Sequence, residues 1–147
     1  MPIEKTVTEN IILDSPMKLE QAVLYGVTTD GGTVEIGRSR DVLELLETCE
    51  FPENHSIIGI AVHTLVWSAP RNPETGEIDV RPSEHPERRP IVLVETLTFN
   101  GFCSATKFAT QRRDFVLEET NFDDTSANEE LWDAMNVCIE KLRQVKI

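Results

Sequence analysis

The dipeptide Asn100-Gly101 constrains the fold more than any other feature of the chain. It separates two runs rich in apolar and β-branched residues, 91–99 and 102–110. Asn and Gly tolerate the backbone angles of a tight hairpin turn, so the two runs read as neighbouring antiparallel strands. A shorter run at 113–118 continues the pattern, with Gln111-Arg112 as its turn, which predicts a three-strand meander. Upstream, Asp30-Gly31-Gly32 divides 23–28 from 33–36 and predicts a second, N-terminal hairpin.

Between these units, 57–67 is apolar at both odd and even positions, the pattern of a central strand. Asn72-Pro73-Glu74-Thr75-Gly76-Glu77 has the order of a turn and predicts a projecting β-ribbon joining 66–71 to 77–81. The proline-rich stretch 82–90 reads as a loop.

Two helices are predicted. Ser39 is placed to cap one running from Arg40 to Glu50, with Val42, Leu45, Leu46 and Cys49 on one face. Ser126-Ala127-Asn128-Glu129 has the layout of a capping box opening a second, whose stripe is Leu131, Met135, Cys138, Leu142 and Val145. Residues 1–20 are ambiguous: Ile11-Ile12-Leu13 reads as a short strand, and Asp14-Ser15-Pro16 as a helix start. The expected fold is a single α+β domain over 1–147: an antiparallel sheet with helices on one face.

The chain carries a formal net charge of −12, with eleven acidic against four basic side chains in residues 1–60. Neutralising phosphates requires Lys and Arg, so a nucleic-acid partner is disfavoured. No stretch is long and apolar enough to span a bilayer, and the first residues lack a signal-peptide layout, so a cytoplasmic location is expected. Cys49, Cys103 and Cys138 are far apart inside apolar segments and read as core residues rather than a disulfide or metal framework.

Three sets of residues are candidates for function. Asp41, Glu44, Glu47 and Glu50 recur every three residues opposite the apolar stripe of the first predicted helix. Like charges at that spacing oppose helix formation, and anions near a helix C-terminus are disfavoured, so the face is a candidate docking surface for a basic partner. The plainer reading is a solvated face of an acidic protein.

The second set is a pocket on the sheet. His63 and Trp67 share one face of the central strand. Glu95 lies mid-strand among large apolar residues, where an unpartnered charge is costly. If the faces coincide, His63 and Glu95 form a general-base pair, with Arg112 or Arg113 at the mouth for an anionic small molecule. The plainer reading gives Glu95 access to solvent and His63 a hydrogen bond in the core. The third set is arginine-rich: Arg71, Arg81, Arg88 and Arg89 in the ribbon and loop, with Arg112-Arg113 in a turn, read as an anion-binding or subunit-contacting arm or as an ordinary charged loop paired with the acids around it.

There is no phosphate-binding Gly-rich loop with its Lys, no nucleophile elbow and no paired zinc-ligand spacing. No catalytic residue, metal or cofactor is therefore assigned. The function expected is a non-enzymatic intracellular binding protein, an acidic inhibitor or neutraliser of a basic protein. The alternatives are a small-molecule-binding protein or enzyme using His63 and Glu95, and a homodimeric structural subunit joined through exposed strand edges.

Overall fold

The computed structural model describes residues 2–17, 19–52, 56–68, 89–112 and 114–145. The elements are α1 (Ile3–Asp14), β1 (Ala22–Thr28), β2 (Thr33–Ser39), α2 (Val42–Thr48), β3 (Ile57–Ser68), β4 (Arg89–Thr98), β5 (Phe102–Arg112), β6 (Phe115–Asp123) and α3 (Glu129–Val145). The strands form one sheet in the order β2-β1-β3-β4-β5-β6, and every neighbouring pair is antiparallel. The chain is therefore α+β, with the N-terminal hairpin, central strand and C-terminal meander in their expected places. Among the described residues no helix is long and apolar enough to cross a membrane.

Helices cover both faces of the sheet, not one. On the first face α2 and α3 bury Leu24, Ile60, Val62, Leu93 and Leu97 against Leu45, Leu46, Leu131, Met135 and Leu142. On the second face α1 lies across β3, β4 and β5. There Ile12 packs with Val92, Val94 and Ala105, and Val7 with Val27 and Ala61. Ile11-Ile12-Leu13 is thus the last turn of α1, and Ser15 is the residue that ends the helix rather than one that starts it. Two polar residues on its buried face, Glu4 and Thr8, obscure the helical period. Both are accommodated by the sheet: Thr8 Oγ1 is hydrogen-bonded to Thr96 Oγ1 at 2.7 Å, and Thr98 Oγ1 donates to the Glu4 carboxylate.

Several boundaries differ from expectation for local reasons. Leu97 pairs with Phe102, so the turn residues are Phe99 and Asn100, and the Thr98 N–H donates to Gly101 O at 2.9 Å. Phe99 is drawn into the core beside α3, and a Cβ on Gly101 would stand 3.2 Å from the Glu4 carboxyl group. The next turn lies beyond Arg112, which pairs with Phe115, so β5 and β6 are both longer than expected. Helix α2 is capped by Asp41, whose Oδ1 accepts from the N–H groups of Leu43 (3.1 Å) and Glu44 (3.2 Å); Ser39 instead accepts from Asp41 N. The cap of α3 is Asn128, whose Oδ1 accepts from Leu131 N at 3.0 Å. Val66, Trp67 and Ser68 pair with Ile91, Pro90 and Arg89. Arg89 and Pro90, expected in the loop, therefore open β4 as an extension of the β3 ladder. The rest of the expected ribbon, 69–81, and of the expected loop, 82–88, lies outside the described residues, and with it Arg71, Arg81 and Arg88.

Candidate functional site

Strand register separates His63 from Glu95. His63 pairs with Val94, and Glu95 with Val62. Directly paired residues share a face and successive residues alternate, so His63 points to the α1 side and Glu95 to the α2–α3 side. The expected general-base pair across adjacent strands does not form. Each residue is instead the centre of its own cluster.

Glu95 is completely buried, at 0% exposure. Its Oε2 accepts from Ser104 Oγ at 2.8 Å and from Ala127 N at 2.9 Å, and its Oε1 accepts from Ser126 Oγ at 2.6 Å. These donors replace the water lost on burial. The carboxylate ties the segment before α3 to the middle of the sheet, which fixes where that helix begins. Ser126 therefore serves Glu95 rather than capping the helix. The sequence signalled that Glu95 needs a partner; it did not show that the partners are two hydroxyls and an amide.

On the other face, His63 Nε2 lies 2.7 Å from Ser15 Oγ, and Ser15 Oγ lies 3.0 Å from Pro16 O, to which it can donate. Ser15 and His63 line an open cavity of about 380 Å³ with Asn10, Asp14, Tyr25 and the Gly31-Gly32 turn. His63 is 7% exposed, and burial lowers its pKa to about 4. The imidazole is therefore neutral near pH 7 and suited to hydrogen bonding with a small polar molecule. Trp67 stands four residues further along β3 and is partly exposed. Arg112 is seven residues along β5 from Ala105, the residue that pairs with Val94. At about 3.3 Å per residue both are remote from the His63 cavity. Arg113 lies outside the described residues.

The depressed pKa of His63 sets a pH dependence. An unfolded histidine titrates near 6.5, so between pH 6.5 and 4 the unfolded chain binds the proton that the native chain refuses. The contribution is complete above pH 6.5 and is lost as pH falls toward 4. We expect stability to drop by up to about 1.4 kcal/mol per pH unit across this window from His63 alone. Urea midpoints at pH 7 and pH 5 for the wild type and His63→Gln check this. The glutamine variant should show the shallower slope, and equal slopes would contradict it.

Comparison with protein-family models, curated proteins and solved structures found no match.

Glu44, Glu47 and Glu50 are all exposed, whereas the Asp41 carboxylate is occupied as the helix cap. Helix α3 packs beside α2 and adds exposed Glu129, Glu130, Asp133 and Glu140. Two exposed cations of this layer, Lys141 and Arg143, are engaged by the protein itself. Lys141 Nζ donates to Glu47 O at 2.7 Å, closing the C-terminal end of α2. Arg143 pairs with Glu140 and stacks on the Phe99 ring, 5.2 Å from its centroid. No ion pair among the described residues involves Glu44, Glu47, Glu50, Glu130 or Asp133. Val137 stands in the middle of the outer face of α3 at 66% exposure. A lysine contributed by α3 thus offsets the anions near the end of α2.

Among the described residues no group of three or more His, Cys, Asp or Glu is arranged to hold a metal ion. The β6 edge exposes Val116, Leu117 and Phe122 together with acidic Glu118, Asp123 and Asp124.

Proposed function

We propose that the protein is a non-catalytic binding module, intracellular in setting, that captures a basic protein through the outer surface of its α2–α3 layer. One observation carries the reading. The layer presents Glu44, Glu47, Glu50, Glu130 and Asp133 to solvent while Lys141 and Arg143 are engaged by the protein itself. Such a surface speeds association with a positive partner and rejects negative ones. Val137 supplies an apolar contact at its centre, where partial desolvation strengthens the surrounding charge pairs.

The test is comparative capture from a native lysate at low and high salt, using the wild type and Glu44→Lys/Glu47→Lys. Both side chains point to solvent, so the substitutions leave the core intact. The wild type should retain basic proteins at low salt and release them at high salt, as screened charge pairs do. The double variant should retain them at least about tenfold less, the equivalent of 1.4 kcal/mol. Equal retention with the same salt dependence would overturn the reading.

A second reading is pairing of two copies through β6, favoured by the exposed Val116, Leu117 and Phe122. The acids on the same strand oppose it, because like charges would meet across the dyad.

A further inference from the structure

Cys49, at the end of α2, and Cys138, in the middle of α3, are both buried free thiols whose sulfur atoms lie 3.3 Å apart. From this geometry we propose that Cys49 and Cys138 form a redox site that closes to an intramolecular disulfide under a small-molecule disulfide oxidant.

The sulfurs need to approach by little more than 1 Å to reach the bond length of about 2.05 Å, within reach of side-chain rotation. The two residues are 89 positions apart in sequence, so their meeting is a property of the folded chain. Their environments divide the chemical roles. A hydrogen bond from the Cys138 thiol lowers the pKa of Cys49, against the effect of burial, and the Lys141 ammonium lowers it further. Lys141 Nζ lies 3.5 Å from Cys49 O. The hydrogen bond to Cys49 and then burial push Cys138 up. Cys49 also sits at the rim of the core, 8% exposed, whereas Cys138 is sealed. Cys49 is therefore the attacking thiolate and Cys138 the resolving thiol.

The Cys49 thiolate attacks one sulfur of the oxidant, breaks its S–S bond, forms a mixed disulfide and expels one small thiolate. Cys138 then gives up its proton and attacks Cys49 Sγ, forming the protein disulfide and expelling the second thiolate, which takes up that proton. Two protein thiols lose two protons and two electrons, and one small disulfide becomes two thiols. The product joins α2 to α3 covalently. Cys103 has no such neighbour: it lies on the α1 face of the sheet, and burial raises its pKa.

The probe is 2-hydroxyethyl disulfide applied to the folded chain, followed by thiol blocking, digestion without reductant and mass spectrometry. A Cys49–Cys138 linked peptide lacking two hydrogen atoms should accumulate at least about tenfold faster than any Cys103 adduct. Cys103→Ser should leave that rate unchanged. Cys138→Ala should stop at the mixed disulfide on Cys49, and Cys49→Ser should leave Cys138 unreacted. The idea is overturned if the wild type, still folded by circular dichroism, shows no linked peptide or carries separate adducts on the two cysteines. It also fails if Cys103 reacts first.

Discussion

Leu142→Asp should abolish the fold. Leu142 is 1% exposed and belongs to the cluster that joins α2, α3 and the sheet. An aspartate there either stays ionised in an apolar surround or takes up a proton, and it also leaves part of the leucine volume empty. Together these effects cost about 5 kcal/mol or more, comparable with the whole stability of a domain this size. The variant should be insoluble or lack a cooperative thermal transition. Leu142→Ala, which only opens a cavity, should remain folded with a loss of about 2–5 kcal/mol. A soluble Leu142→Asp protein with unchanged melting temperature would show that α3 is not docked as described.

The second large effect is expected at Glu95. Replacing it by alanine leaves the buried Ser104 hydroxyl without its acceptor, opens a cavity where the carboxylate had been, and releases the partly exposed Ser126 hydroxyl and Ala127 amide from the sheet. Hydrogen bonds to a charged group contribute about 1.5–3 kcal/mol each, and their effects overlap, so a loss of about 3–5 kcal/mol is expected. Glu95→Gln keeps the shape and lets the hydroxyls rotate to meet an amide, so it should lose roughly half as much. Equilibrium unfolding in urea measures both. An alanine variant within 1 kcal/mol of the wild type would mean that the three donors find other partners at no cost.

The strands were the most legible part of the chain because their signals are local. Asp30-Gly31-Gly32 needs only Gly31 at φ 84° to make its turn; the run before it is buried on both faces and the run after it, at the sheet edge, is largely exposed or half-buried. Helix α3 was legible for the same reason, through the stripe from Leu131 to Leu142. Helix α1 was not, since Glu4 and Thr8 occupy its buried side and satisfy their hydrogen-bonding needs on Thr98 and Thr96, some ninety residues away. A clue was nevertheless present. A strand apolar on both sides, as β3 is, requires cover on both, and only the N-terminal segment was left to provide it.

The site was less legible than the fold. Facing is set by register, and a shift of one residue exchanges the two sides of a strand. Glu95 could be identified as a buried charge in need of partners, and His63 as a core histidine or a ligand, but whether they meet depended on pairing that neither residue encodes. The exposed positions of Glu44 and Glu47 followed from helical period, and the structure preserves them; the helix expected to run to Glu50 instead ends at Thr48, so Glu50 is exposed beyond α2. The neighbourhood of Cys49 and Cys138 arises only when α2 and α3 dock, so it left no trace in either segment.

Lysines from elsewhere finish two of the three helices. Neither α1 nor α2 has a basic residue in its last turn. Lys107 of β5 reaches the end of α1, donating to Ser15 O at 2.8 Å and Ile12 O at 3.4 Å, as Lys141 does for α2. Excised as peptides, these short acidic segments would be largely unstructured, because nucleation is costly and their terminators are absent. Only α3 combines its own cap, Asn128, with a basic residue in its last turn and an apolar stripe of several turns. The ends of two of the three helices are thus completed by tertiary structure, so an acyl group on Lys107 or Lys141 would loosen a helix to which the modified residue does not belong.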